Sequence, residues 1–213
     1  MKDIVLFGAG GLARETIMTV ESLKEFRLLG FVVDEQYYHE GQMVGGYPVL
    51  GSGDWLVAHK DDVFCNVAIG FPKARAAIQE KFSGLGVRFA TLVHPNARVR
   101  DRSVLGEGCL VQINTAVSVD CKLGKGVFLN GGSITIGHDA IIGDYTCIMP
   151  GTGISGGCVI GREVMIGGHA YVIPRKRVGD RATIAAGSVV FTNVRAGTTV
   201  LGNPAKRIPC LED

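Results

Sequence analysis

The chain lacks most of the signals that would place it in a simple functional class. Its 22 basic and 20 acidic residues leave a formal charge of +2, too little to suggest nucleic acid or an anionic membrane as partner. None of the six cysteines, Cys65, Cys109, Cys121, Cys147, Cys158 and Cys210, stands in CxxC spacing. That removes the zinc ribbon and the dithiol redox motif. No run of 18 apolar residues is present to span a membrane. The opening MKDIVLFGAGG breaks into glycine too early for a signal peptide. A reducing cytoplasm is the expected home.

What the chain has is glycine, 31 of 213 residues and about twice the usual share, together with an aliphatic ladder. Val99, Leu105, Val111, Val117, Leu123 and Leu129 stand six apart. After a slip of one residue the ladder resumes with Ile136, Ile142, Ile148, Ile154, Ile160, Ile166, Val172, Val178, Ile184 and Val190. A helix would repeat at 3.6 and a lone strand at two. A period of six marks hexapeptide repeats, in which short strands coil and each turn stacks on the one below. At about 18 residues per turn, sixteen slots predict a little over five turns, from near Asn96 to about Val194. Glycine follows many slots (Gly106, Gly124, Gly137, Gly143, Gly161, Gly167, Gly179), where tight corners are expected. Spacing leaves the hand of the coil open.

The first half reads differently. Residues 3–8 form a buried strand and 12–26 a helix; 28–34 form a second strand ending at Asp34. A loop with a short strand at 47–50 follows, then a short helix over 52–60 capped by Ser52 or Asp54. A strand over 62–70, a helix opened by Pro72 and a strand over 87–93 complete the set. Strands alternating with helices predict a small Rossmann-like parallel α/β domain. Domain boundaries are expected at 1–93 and 94–213. Gly8, Gly10 and Ala13 make G-x-G-x-x-A between strand and helix, where free backbone N–H groups can hold a phosphate. Gly10, Gly11 and Leu12 in that turn, Asp34 at the end of the second strand and Gly70 at the end of the third are the expected substrate-binding residues. About 90 residues suit a mononucleotide better than NAD.

Four pieces in order, GAGGLARE (8–15), VHP (93–95), TIGHDAIIGDYTCIMPG (135–151) and LGNPAKRI (201–208), carry a resemblance. The chain resembles the bacterial nucleotide-sugar acetyltransferases of the PglD/NeuD-like group over nearly its whole length. The resemblance implies a left-handed parallel β-helix, a homotrimer, acetyl-CoA lying between neighbouring coils, and a nucleotide-linked sugar held by the α/β domain. It also implies a place in cell-surface polysaccharide biosynthesis.

Spacing alone puts His138 at a corner after Ile136-Gly137, where a lone histidine is more often structural than catalytic. The resemblance makes it the general base, because His138-Asp139 matches the family's His–acid pair. A neutral imidazole can take the proton of an attacking amine or hydroxyl, and Asp139 would favour the imidazolium. The two are adjacent, so the corner must bend them together. Gly156 is the candidate N–H donor to the tetrahedral oxyanion. Family position suggests Cys147, Gly168, His169, Ala186 and Lys206 for acetyl-CoA. Cys147 stands where some relatives carry a second histidine, and a packed thiol is the other reading of it.

The implied activity is acetyl-CoA-dependent N-acetylation of a nucleotide-linked amino-dideoxy sugar, by direct attack in a ternary complex and without a metal. O-acetylation of a sialic acid or related sugar is the second reading. A γ-type carbonic anhydrase shares the coil but needs three His ligands, two of them close; His138 and His169 are 31 apart. An NAD-dependent oxidoreductase would leave the coil unexplained. A non-catalytic scaffold trimer would leave His138-Asp139 unexplained. The slip between Leu129 and Ile136, through NGGSITI, is expected to reshape the sugar pocket.

Overall fold

The computed structural model describes residues 1–209. It opens with β1 (Lys2–Phe7), α1 (Gly11–Ser22), β2 (Phe26–Val33), β3 (Met43–Val44), β4 (Tyr47–Ser52), α2 (Gly53–Ala58), β5 (Phe64–Val67), α3 (Pro72–Gly84) and β6 (Arg88–Phe89). The sheet order is β3-β4-β2-β1-β5-β6, parallel except for the β3-β4 hairpin. β1 is apolar on both faces because both are covered. Ile4 and Leu6 pack with Ala13, Ile17 and Val20 of α1, while Val5 and Phe7 pack with Leu56 of α2 and Phe82 of α3. From β1 the chain winds to β2 and β4 on one side, then to β5 and β6 on the other. A crevice therefore opens at the carboxyl ends of β1 and β5.

Differences from the expected elements are local. The first helix stops at Ser22, where the Leu23 N–H turns back to the Val20 carbonyl, and Phe26 enters β2 instead. Ser52 takes the N-cap position of α2 but its hydroxyl makes no capping bond. The segment expected as one strand over 87–93 is divided. Arg88–Phe89 pairs with β5, whereas Leu92–Val93 pairs with Leu110–Val111 of the coil.

The second half is a three-sided parallel β-helix. Its strands are two or three residues long and form three faces, of eight, six and five strands. All ladder residues but Val99 and Leu105 are buried in one cluster; those two, in the first turn, are half-covered and pack against it. A second inward ladder, unread in the sequence, stands at 109, 115, 121, 127, 140, 146, 152, 158, 164, 170, 182 and 188. It holds small residues, among them Cys109, Cys121, Cys158, Thr146, Thr152 and Ser188, all buried. Most of its polar members turn to carbonyls of the next turn, as Cys109 Sγ does to Gly124 O at 3.1 Å and Thr146 Oγ1 to Gly161 O at 2.8 Å; Ser188 Oγ instead accepts from Gly202 N at 3.2 Å. The five cysteines within the described residues are thus free, packed thiols; Cys210 lies outside those residues.

The corner glycines serve closeness rather than torsion. A Cβ on Gly143 would lie 2.5 Å from the Gly161 carbonyl carbon, and one on Gly137 2.5 Å from Gly156 N. The left-handed backbone falls two residues later in the corner. Asp139 (φ 59°), Tyr145 (φ 59°) and His169 (φ 58°) adopt it without being glycine, an uncommon state for such residues. The one-residue slip is absorbed at Gly132 (φ 94°) and Ser133 (φ 65°). Register is restored at once, with Ile134 beside Thr115 and Ile136 beside Val117. The slip therefore sits one corner before His138 and leaves the His138 corner in step with its neighbours.

The α/β unit lies on the eight-stranded face. Leu110, Phe128 and Cys147 point outward from that face into a cluster with Ile4, Leu6, Ala13 and Ile17. Gln79 Nε2 of α3 also donates to Glu107 O at 3.0 Å, and Asn66 Nδ2 of β5 to Gly108 O at 3.2 Å.

Candidate active site

Each turn of the coil runs from the eight-stranded to the six-stranded and then to the five-stranded face. His138 lies at the edge between the latter two, after the strand Ile134–Ile136 and before Ile141–Ile142. The corner does bend the pair together: His138 Nδ1 and Asp139 Oδ2 are 2.7 Å apart. The left-handed φ of Asp139 turns its carboxylate back towards the ring, which two residues in a straight strand could not achieve. Main-chain bonds from Asp139 N to Val119 O (3.1 Å) and from Gly157 N to His138 O (2.8 Å) lock the corner to the turns on either side. With the Nδ1 proton donated to the carboxylate, Nε2 keeps its lone pair. Both side chains are about two-thirds exposed in the single chain, at 66 % and 65 %.

Gly156 sits directly against that nitrogen. A Cβ there would be 2.6 Å from His138 Nε2, so only a bare Cα lets the ring lie where it does. Residues in the same register elsewhere have their N–H taken by side chains: Lys125 N by Asp144 Oδ1 (2.8 Å) and Arg162 N by Asp180 Oδ1 (3.0 Å). The residue below Gly156 is Pro174, which offers no such acceptor, and the Gly156 N–H makes no hydrogen bond among the described residues. Beside this corner the six-stranded face carries a groove of about 520 Å³ lined in part by Arg98, Arg100, Ser155 and Tyr171. Tyr171 lies flat over Gly153 and its hydroxyl is 2.9 Å from Ser155 Oγ.

The residues expected to hold acetyl-CoA are dispersed. Gly168, His169 and Ala186 share the opposite edge of the six-stranded face, where the His169 ring covers Gly151. Lys206 lies beyond the last full turn, on an antiparallel strand, Lys206–Ile208, that lines a cavity of about 400 Å³ with Arg195 and Arg207. Cys147 does not belong with them. It is fully buried beneath the α/β unit, and burial pushes its thiol up to about 12. Its surroundings are those of a packed thiol.

The expected substrate residues do converge. Gly10, Gly11, Leu12, Asp34 and Gly70 line one cavity of about 590 Å³ at the β1/β5 crevice. A Cβ on Gly10 or Gly11 would meet nothing within 4 Å, so the fold itself does not demand glycine there. The open N-terminus of α1 has no side-chain cap, which leaves its N–H groups for an outside acceptor. Tyr37, His39, Gln42 and Phe71 complete the wall. These four escaped the sequence reading because they lie in loops without periodicity. Among the described residues, no three His, Cys, Asp or Glu side chains converge as a metal site.

Known proteins match this arrangement along its length. The PglD N-terminal domain family matches residues 3–82, and the bacterial transferase hexapeptide family matches 139–174. A GDP-perosamine N-acetyltransferase of Escherichia coli O157:H7 is 33 % identical over 95 % of each chain.

The chain belongs to the PglD-like family of nucleotide-sugar acetyltransferases.

Solved members of the family share the whole fold. The acetyltransferase domain of PglB from Neisseria gonorrhoeae, in complex with acetyl coenzyme A, superposes with a TM-score of 0.89 at 29 % identity, over 97 % of this chain and 99 % of that one. PerB of Caulobacter crescentus, in complex with CoA and GDP-perosamine, gives 0.89 at 25 % identity, over 98 % of each chain. None of the helices among the described residues is long and apolar enough to cross a membrane.

Proposed function

We propose that this chain is an acetyl-CoA-dependent N-acetyltransferase whose acceptor is a nucleotide-linked amino-dideoxy sugar. The observation that carries the proposal is the His138–Asp139 pair, held at 2.7 Å with Nε2 against Gly156, on a chain that also builds a nucleotide-sized cavity at Gly10–Leu12. The family relative that acts on GDP-perosamine matches both halves. That makes GDP-linked sugars the first acceptors to assay.

In the proposed reaction the sugar amine attacks the thioester carbonyl carbon of acetyl-CoA. His138 Nε2 takes the ammonium proton as the C–N bond forms, and Asp139 stabilises the imidazolium. The oxyanion is met by the Gly156 N–H, a donor already free of internal partners. Collapse breaks the C–S bond; the imidazolium returns its proton to the departing thiolate, giving CoA and the amide. No acyl-enzyme is involved.

The candidate base and the candidate coenzyme residues lie on opposite edges of the six-stranded face. One chain therefore cannot bring His138 to Gly168, His169 and Ala186, and the reading requires a neighbouring copy. A homotrimer, with acetyl-CoA in the crevice between two coils, meets that requirement. The cytoplasm is the compartment this reading implies.

The test is thiol release from acetyl-CoA with a panel of GDP-, UDP- and dTDP-linked amino-dideoxy sugars, with free sialic acid as a separate arm. Release dependent on an amino sugar supports the reading. Release with sialic acid alone, or with none of the panel although acetyl-CoA binds, overturns it.

A further inference from the structure

Arg75, in the first turn of α3, is fully buried and has no carboxylate partner among the described residues. Burial alone pushes its pKa down. A guanidinium in such a place is not explained by stability, because well-packed apolar residues serve as well or better. Its bonds show what it holds. Nη1 donates to the carbonyls of Val67 and of Ile69, the latter at 3.0 Å. Nε donates to Gly126 O at 3.0 Å, and the guanidinium lies 5.4 Å from the centroid of the Phe128 ring. Gly126 and Phe128 belong to the coil. Val67 and Ile69 flank Ala68, and Ala68, Ile69 and Gly70 form one wall of the β1/β5 cavity. That wall touches the glycine turn opposite: a Cβ on Gly8 would lie 3.0 Å from Ile69 Cγ1.

We infer that Arg75 is a positioning residue for the nucleotide-linked sugar: it fixes the Val67–Gly70 loop in shape and ties it to the coil. The inference rests on the cavity being the nucleotide site, as proposed above. A planar fork suits the task because it donates from two separated nitrogens in a fixed plane to three carbonyls on two units, whereas an ammonium donates from a single point.

The rival account is that Arg75 merely fastens the two units together. Gln79 separates the accounts, since it bonds the coil at Glu107 O without touching the loop. The experiment measures KM for both substrates and melting temperature in Arg75→Met, Arg75→Lys, Phe128→Leu and Gln79→Ala. Arg75→Met is expected to raise KM for the nucleotide sugar about tenfold, while KM for acetyl-CoA stays within about twofold. Arg75→Lys restores part of the loss, Phe128→Leu moves the same constant in the same direction, and Gln79→Ala moves neither. Equal rises in both constants, or equal behaviour of Arg75→Met and Gln79→Ala, would overturn the inference. Should Arg75→Met fail to fold, Arg75→Lys and Phe128→Leu decide, and an unchanged nucleotide-sugar KM in both refutes it. Calorimetric titration of wild type with GDP, UDP and dTDP distinguishes the two levels. Wild type that binds none of them removes the nucleotide reading and this inference with it. Wild type and Arg75→Lys that bind alike remove this inference alone.

Discussion

At the scale of the residue, the decisive feature is a histidine whose two nitrogens have different neighbours. Nδ1 meets Asp139 and Nε2 faces Gly156. His138→Ala is expected to lower kcat by roughly 10²–10⁴-fold, the usual worth of a positioned base, with both KM values nearly unchanged. Steady-state kinetics would check this, and near-normal kcat would remove the role. Gly156→Ala should lower kcat by at least about tenfold, because the new methyl overlaps the imidazole and moves it from beside the free N–H. Unchanged turnover in that variant would leave the ring position without importance. Spacing set His138 at a corner of the coil and the family resemblance singled it out as the base, but neither could show that Asp139 turns back to it. That depends on a left-handed torsion at an aspartate, and nothing in the one-dimensional pattern marks such a torsion. The surroundings of Cys147 were hidden for a related reason: it stands on a coil strand, yet its side chain points outward into a surface that the other domain covers.

At the scale of the element, the coil's glycines and thiols follow rules that differ from those of the α/β turn. The same change, Gly→Ala, should act oppositely in the two places. Gly143→Ala drives a methyl to 2.5 Å from backbone of the next turn and should cost about 1–3 kcal/mol of stability. Gly10→Ala meets nothing, so urea melts should find stability nearly unchanged while nucleotide-sugar affinity falls. Equal destabilisation by both would mean that the α1 glycine is structural. The buried thiols give a pH signature. Burial raises Cys109 from its ordinary 9.0 to about 11 and Cys147 to about 12. A raised value in the folded chain means full stabilisation below about pH 9. It is lost as pH climbs through the folded values, because the unfolded chain releases its thiol protons first. Each thiol contributes a slope of about −1.4 kcal/mol per pH unit in that window. The stability gap between wild type and Cys147→Ala should therefore narrow from pH 9 to 11, and a gap independent of pH would contradict the burial. The aliphatic period announced this coil because, of the two slots in six that face its axis, one is always Val, Ile or Leu. The small-residue ladder stayed hidden because Cys, Thr, Ala, Ser and Val share size rather than hydrophobicity.

At the scale of the whole molecule, the edges of the coil decide how a site can be assembled. A three-sided coil has three of them, and its candidate chemistry occupies two that do not meet within one chain. His138 lies between the six- and five-stranded faces, whereas Gly168, His169 and Ala186 lie between the eight- and six-stranded faces. If copies associate as a closed ring, each site takes a base from one protomer and a coenzyme wall from the next, a heterologous interface that closes by rotation. Two inactive variants should then rescue each other. His138→Ala removes the base, and Ala186→Trp fills the coenzyme wall; each alone should be inactive. In ring assemblies mixed at random from equal amounts, a site is intact when its base comes from the Ala186→Trp chain and its wall from the His138→Ala chain. That arrangement has a probability of about one quarter at each interface, so the mixture should recover about one quarter of wild-type kcat per site. Co-expression with two affinity tags, tandem purification and kinetics on the mixed species would measure it; once single-variant rings are removed, a three-membered ring keeps one intact interface, so the purified species should show about one third of wild-type kcat per site. Recovery near zero in assemblies proven to be mixed would place base and coenzyme on the same protomer, and the reading of the six-stranded face as the crevice between copies would fall.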